Sequence, residues 1–444
     1  MARLKYFSAL AVITVLFTNF FPRGAIAQDS AITLYLDQAI AAAVNNNSAV
    51  RVAQLDENIA AANYKQTAAI YLPQIGFSYS VMNTNNPLNA FGFELQQKSI
   101  TQNDFGTSLL NHPAGTPDFT TKLVVQQPLV NIDLLYRRRS AAKQTEIFQY
   151  NTQRTKENLL YEVKEAYLQL QLGYEAARVL EEALATADSV YVFTDNRFKQ
   201  GFLQKSDVLN AEVQVTTFES NLTGAKNNIR NESDYLSLLM GVPAEKIYKT
   251  DQNATEEIFD SSSDIADTRS DFLAMQKEIE ASDLMITANK MSYLPKLNAF
   301  GSYQFNDSRM LGFGASSYLA GVQLSWDIFK GNSTKNVIAA QMLERNKLAE
   351  QLTRQKDQSK LELNKARRGL EDAQFDIKQH RLAAVQAAEA LMILQNRYRQ
   401  GLANTTDVLM AATQLSQQKY ALAQSVYTFN VTKAYLQFLT ASAK

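Results

Sequence analysis

The chain has 444 residues, no cysteine, and equal numbers of basic and acidic side chains, 44 of each. That balance excludes the strong basic excess of a nucleic-acid binder. The absence of cysteine excludes disulfides, a lipidated N-terminal cysteine and a thiol nucleophile.

Residues 1–27 read as a secretory signal. Arg3 and Lys5 form the basic start, Phe7 to Phe21 the apolar run, and Ala25-Ile26-Ala27 the small-residue cleavage site. Cleavage after Ala27 removes three basic residues and no acid, leaving 41 basic and 44 acidic residues, net −3. The alternative, an uncleaved anchor, falls short of the roughly 18–20 apolar residues that span a bilayer. No later stretch is long and apolar enough either. A strand barrel is the other structure that satisfies its backbone inside lipid.

From Leu34 to Ile70 the pattern is helical, and it stops at Tyr71-Leu72-Pro73, because proline forces the preceding residue towards extended backbone. Ile75, Phe77, Tyr79 and Val81 then alternate with Gly76, Ser78 and Ser80, the pattern of a strand with one apolar and one polar face. Asn83 to Asp118 has no sustained period and reads as a long loop. A second strand runs from Phe119 to about Pro128, followed by a helix over about Leu134–Gln200. In it Val163, Tyr167, Leu170, Tyr174 and Ala177 make a coiled-coil-like seam. Asp207 to Met240 returns as a shorter helix and stops at Gly241-Val242-Pro243.

Ala244 to Asp267 is polar and reads as a linker, after which the order repeats. A helix ends at Tyr293-Leu294-Pro295, and two alternating strands flank a loop at Asn306–Ser317. A second long helix covers about Thr334–Gln400, and Asp407 to Leu439 returns. The expected division is 1–27 signal, 28–243 first repeat, 244–267 linker and 268–444 second repeat.

The two hairpin tips are the strongest internal match. Asn196 to Gln214 reads NRFKQGFLQKSDVLNAEVQ, and Asn396 to Gln414, 200 residues on, reads NRYRQGLANTTDVLMAATQ. Gly201 and Gly401 end the long helices through the left-handed conformation. Ser206 and Thr406 are expected as N-caps, with Asp207 and Asp407 in the first turn at the positive helix end. Four strands per chain cannot close a barrel, since single-chain membrane barrels need about eight. The expected fold is therefore mainly α with a membrane β-barrel contribution shared among several chains.

The signal peptide, the duplicated helix-strand-strand-helix order, the two Tyr-Leu-Pro junctions and the paired Arg-x-x-x-Gly…Asp-Val-Leu tips resemble the TolC-type outer membrane efflux proteins. The resemblance spans the whole mature chain. It implies a homotrimer, with a twelve-stranded barrel in the outer membrane continued by a long periplasmic α-barrel. It also implies a gated, passive exit duct of a tripartite efflux pump or type I secretion system, completed by a periplasmic adaptor and an inner-membrane transporter. Carried over residue by residue, Asp207, Tyr398 and Asp407 match the family's periplasmic gate. Arg197, Gly201, Val208 and Leu209, with Arg397, Gly401, Val408 and Leu409, match its adaptor-docking tips. Two positions depart from the pattern. Ala403 stands where a gate arginine is found, and Met410 where a second ring aspartate is found, which implies fewer ion pairs and a less acidic mouth. The alternative reading is a periplasmic coiled-coil scaffold or adaptor that does not span the membrane.

No catalytic constellation occurs in the sequence: no P-loop, HExxH or GxSxG. No cofactor and no metal site are expected. His112 and His380 lack matching partners, while Glu181-Glu182 and Glu371-Asp372 read as solvated helix faces. Arg137-Arg138-Arg139 follow the second strand, as a solvated helix start or a phosphate contact near the inner leaflet. Phe77, Tyr79, Tyr303, Tyr318 and Trp326 read as lipid-facing packing or interface girdle.

Overall fold

The computed structural model describes residues 31–251 and 264–442. The expected signal segment lies outside the described residues, as does part of the expected linker. In chain order the elements are β1 (Ile32–Leu34), α1 (Leu36–Asn46), α2 (Ser48–Gln66), β2 (Gln74–Thr84), α3 (Pro87–Gln96), α4 (Thr107–Asn111) and β3 (Thr116–Val130). The first hairpin is α5 (Ile132–Lys199) and α6 (Lys205–Met240), followed by β4 (Tyr248–Thr250) and α7 (Ser270–Met291). Then come β5 (Lys296–Asp307), β6 (Ala315–Ser325), α8 (Ser333–Arg399) and α9 (Thr405–Thr440). The duplicated order is therefore present, α2 to α6 matching α7 to α9.

The long helices α5 and α8 have 68 and 67 residues, about 100 Å each at 1.5 Å per residue. A helix of that length survives by packing along its sides rather than by propensity. The seam anticipated on α5 does this. Val163, Tyr167, Leu170 and Ala177 are buried, and Tyr174 packs beside them. α5 lies along α6, then α1 and α2, and on its other side along α7 and α9; α8 lies along α9 and α7.

Two local expectations are corrected at the junction of α1, α6 and the linker. The helix expected over Leu34–Ile70 breaks at Asn47, whose Oδ1 accepts the Ala49 N–H and whose Nδ2 donates to Leu239 O at 2.8 Å. Asparagine makes the break because its short amide competes with the backbone for hydrogen bonds. Gly241 stops α6 at that junction. Its φ of +66° is left-handed, and a Cβ there would sit 2.5 Å from Asn46 O. The polar linker also holds a strand: β4 pairs in parallel with β1, Ile32 opposite Tyr248. Tyr167 fastens this small sheet to α5, donating to Leu34 O at 3.0 Å and accepting from Asp251 N.

At the start of α7 sits a knot of buried charge. Arg269, 1% exposed, binds Asp271 through two bonds of 2.7 and 2.8 Å and reaches Ser359 on α8 and Leu439 O on α9. Its guanidinium stacks 4.1 Å from the Phe272 ring centroid.

The four long strands form one antiparallel sheet in the order β2-β3-β5-β6. Its register gives the two faces different characters, with exceptions on each. Ile75, Phe77, Val81, Leu123, Tyr303, Tyr318, Val322 and Leu324 share one face. Ser78, Ser80, Thr120, Lys122, Gln304, Asn306 and Ser317 share the other. The apolar face is open, with Tyr318 80% exposed. Strands of 11 to 15 residues are long enough for a tilted crossing of the hydrocarbon core. β2 and β6 each keep one unpaired edge.

The stretch expected as a loop at Asn83–Asp118 is instead two strand ends and two helices. Asn86-Pro87, inside that expected loop, is the N-cap and first residue of α3, Asn86 Oδ1 accepting from Asn89 N–H at 3.2 Å. Proline suits that place because its missing N–H is one a helix start leaves unused. The segment lies at the end of the sheet remote from the long helices and folds over the polar face. Gln97 donates to Pro117 O at 2.8 Å and to Asp118 at 3.0 Å. Asp118, fully buried, also accepts from Asn306 Nδ2 at 3.0 Å and from Thr120.

Candidate functional site: the paired hairpin tips

Both long helices end in the same way. Gly201 and Gly401 take φ of +82° and +76°. Phe202 N–H reaches back to Arg197 O at 2.9 Å and Leu402 N–H to Arg397 O at 2.8 Å. Gly201 N–H and Gly401 N–H bond Phe198 O and Tyr398 O. This is the paired-bond glycine stop that satisfies the last carbonyls of a helix.

The return helices start two residues earlier than expected, which corrects the cap assignment. Gln204 and Asn404 are the N-caps, so Ser206 and Thr406 already lie inside the first turn. The capping oxygens belong to the aspartates. Asp207 Oδ2 accepts from Gln204 N–H at 3.1 Å, and Asp407 Oδ2 from Asn404 N–H at 3.2 Å. Asp207 is half-buried and Asp407 exposed. Each carboxylate uses one oxygen on its own helix start.

The chain brings the two tips together through α5 and α9. Tyr398, 5% exposed, stands at the junction. Its hydroxyl lies 2.7 Å from Thr194 Oγ1 on α5 and 2.9 Å from Thr405 Oγ1 on α9. Thr194 donates its own proton to Val190 O at 2.6 Å, so Tyr398 donates to Thr194 and accepts from Thr405. One phenol thus ties three helices, with Phe193 against its ring at 5.0 Å. Arg197 crosses between tips, donating to Arg399 O at 3.2 Å, where a cation meets the negative end of α8. Arg397 stays within its own tip, on Leu402 O.

The expected docking residues separate into two layers. Val208, Val408 and Leu409 are buried in the tip core with Tyr398. Leu209 is exposed, and the outermost apolar side chains are Phe202, 71% exposed, and Leu402. A groove of about 480 Å³ runs between α6 and α9, lined by Val213, Gln214, Leu409, Met410 and Thr413.

Thr194, Thr405, Phe202 and Leu402 were not singled out from the sequence. At the 200-residue offset Thr194 faces Leu394, Lys205 faces Thr405 and Phe198 faces Tyr398. A repeat search keeps what the halves share, while this hydrogen-bond chain runs through positions where they differ.

Removing the Tyr398 hydroxyl is expected to loosen the tip without emptying its core. Tyr398→Phe leaves Thr405 without its acceptor and Thr194 without its donor, a cost of about 1–3 kcal/mol for unsatisfied buried groups. The check is hydrogen exchange, with faster exchange confined to the tip segments around 190–198 and 398–412.

Elsewhere the arginines after β3 are engaged with the protein. Arg138 binds Tyr64 O and Thr67 and stacks on Tyr64 at 4.3 Å, and Arg137 binds Asn289. Trp326 lies just past β6 and donates to Tyr293 O at 2.9 Å. Among the described residues no helix is long and apolar enough to cross a membrane.

An open sheet with an apolar outer face, carried on two helical hairpins about 100 Å long, defines a membrane-anchored duct. The sequence profile of the outer membrane efflux proteins matches residues 39–242 and 262–443. The chain belongs to this family; it is a TolC-like outer-membrane efflux channel that extends into the periplasm, and not an enzyme. No curated protein matches it in sequence. Among solved structures, CusC, described for transmembrane channel formation, superposes with a TM-score of 0.78 at 16% identity, over 94% of this chain and 96% of that one. The outer membrane protein VceC of Vibrio cholerae gives 0.75 at 17% identity, over 92% and 97%. The open outer membrane channel MtrE of Neisseria gonorrhoeae gives 0.73 at 15% identity, over 91% and 88%. Family membership sets aside the scaffold alternative.

Proposed function

We propose that the chain works as a homotrimer, in which twelve strands close one barrel and the helical hairpins close one tube. The observation that carries this reading is the pair of free edges on β2 and β6. An exposed long edge in lipid leaves backbone groups unsatisfied, and joining β6 of one copy to β2 of the next removes every edge. Three copies of the α3–α4 segment then cover the outer mouth from the polar side of the sheet.

At the other end the tips form the resting closure, with Asp207, Tyr398 and Asp407 as its gate groups. Arg197, Gly201, Arg397 and Gly401 shape the turns. Leu209 offers docking surface for a periplasmic adaptor, while Val208, Val408 and Leu409 support it from beneath. The adaptor joins the duct to an inner-membrane transporter that supplies the energy, and flow through the duct itself is passive. Opening is an iris-like shift of one hairpin against the other when adaptor contacts replace the tip contacts. The repeats 28–243 and 268–444 are the two halves that move, joined by the linker at 244–267.

Conductance tests the gate. Three Asp407 carboxylates around one axis repel each other and attract multivalent cations. Asp407→Asn is expected to raise the conductance of the resting trimer in planar bilayers and to weaken block by multivalent cations. Wild-type behaviour in both respects would remove Asp407 from the gate.

A further inference from the structure

We propose that Lys122 and its two symmetry copies form a positively charged ring that biases the membrane section of the duct towards anionic solutes. The inference rests on the trimeric barrel above. It starts from a census of charge on the four long strands, which carry only Asp118, Lys122, Lys296 and Asp307. Three of them are committed. Asp118 is buried beneath the α3 segment with donors from Gln97, Asn306 and Thr120. Lys296 pairs with Asp133 at 2.8 Å. Asp307 belongs to the opposite face and accepts from Arg309 N–H and Gly314 N–H, both at 2.9 Å.

Lys122 stands on the polar face between Ser78 of β2 and Gln304 of β5. No ion pair or hydrogen bond to its ammonium occurs among the described residues. It lies four residues inward of Asp118, about 13 Å along the strand, so it sits below the segment that covers the mouth.

The dimensions decide whether such a ring matters. Twelve strands about 4.8 Å apart, tilted by about 40°, give a circumference of about 75 Å and a diameter of about 24 Å. A lysine reaching about 6 Å inward puts each ammonium about 6 Å from the axis, inside the Debye length of about 8–10 Å near physiological salt. The three fields overlap at the centre, and no path through this section escapes them. Rings of Lys or Arg favour anions in this way.

The test is the reversal potential of the purified trimer in planar bilayers under a KCl gradient. Lys122→Gln is expected to lower the chloride-to-potassium permeability ratio by about twofold or more, and Lys122→Glu to lower it further. Both shifts are expected to shrink at 1 M salt, where the Debye length is about 3 Å. Native mass confirms that each variant is still a trimer, and Lys122→Gln carries the test if Lys122→Glu fails to assemble. Unchanged ratios in conducting trimers would overturn the ring while leaving the channel intact. A wild-type trimer without conductance would overturn the channel reading and the ring together.

Discussion

Arg269→Ala is expected to destabilise the helical half of the molecule by about 3–5 kcal/mol, the usual cost of removing one partner from a buried ion pair. The loss has several parts. Asp271 keeps its charge in a half-buried place without its hydrogen-bonded partner, with only the longer-range attraction of Arg154 left, while Ser359 and Leu439 O lose a donor. Phe272 loses the cation over its ring. α7, α8 and α9 meet on this one side chain, so the substitution unties the junction of the second repeat. The pH dependence follows from Asp271. Burial alone would raise its carboxyl pKa, but the hydrogen bonds and charge of Arg269 outweigh burial and hold it below the ordinary value. A depressed carboxyl contributes stability that is fully present above the unfolded-state value of about 3.9 and is lost as pH falls through the lower folded value. The gap between wild type and Arg269→Ala is therefore expected to be widest at neutral pH and to narrow below about pH 4, leaving the share that Ser359, Leu439 O and Phe272 contribute. Thermal unfolding across pH 3–7 checks both points; a gap that stays constant with pH would remove Asp271 from the explanation.

The second large effect is at the outer mouth. Asp118→Ala takes the shared acceptor from Gln97, Asn306 and Thr120 at once. Each buried donor left unmatched costs about 1–3 kcal/mol. The helical segment can avoid that cost by lifting off the sheet, where water satisfies Gln97. Gln97 is its polar anchor to Asp118, with Pro117 O as the second acceptor. The expected result is a higher single-channel conductance, approaching that of a variant in which residues 87–111 are replaced by a short turn. The periplasmic gate should be untouched, and because the two constrictions lie in series along one duct, the double variant with Asp407→Asn should conduct more than either single variant. Conductance equal to wild type in Asp118→Ala, with higher conductance in the turn variant, would mean that the segment is held by its other contacts, the Gln97–Pro117 and Gln96–Asn306 bonds and its apolar packing.

Much of this architecture was legible in the sequence because it rests on periodicity. The seam from Val163 to Ala177, the alternation from Ile75 to Val81 and the glycine stops at 201 and 401 are local patterns with one physical solution each. What escaped was decided by contacts between distant segments. Tyr248–Thr250 is too short to show a period and becomes a strand only because Ile32–Leu34 runs beside it. Asn86-Pro87 serves a turn or a helix start equally well, and the helix follows from what Gln97 can reach on the sheet. Arg269 carries no signal of its own in the sequence, since nothing local announces that Ser359 and Leu439 close over it. At the tips the shared residues were visible and Tyr398 was singled out through the resemblance. Its partners Thr194 and Thr405 were not, because they occur in one half only.

The central claim is that three chains share one barrel, and the native mass of the protein extracted from outer membranes in mild detergent tests it most directly. The account predicts a stable species of three chains that survives extraction. A stable monomer would leave β2 and β6 with unpaired edges in lipid, and would contradict the shared barrel and every conductance result expected from it.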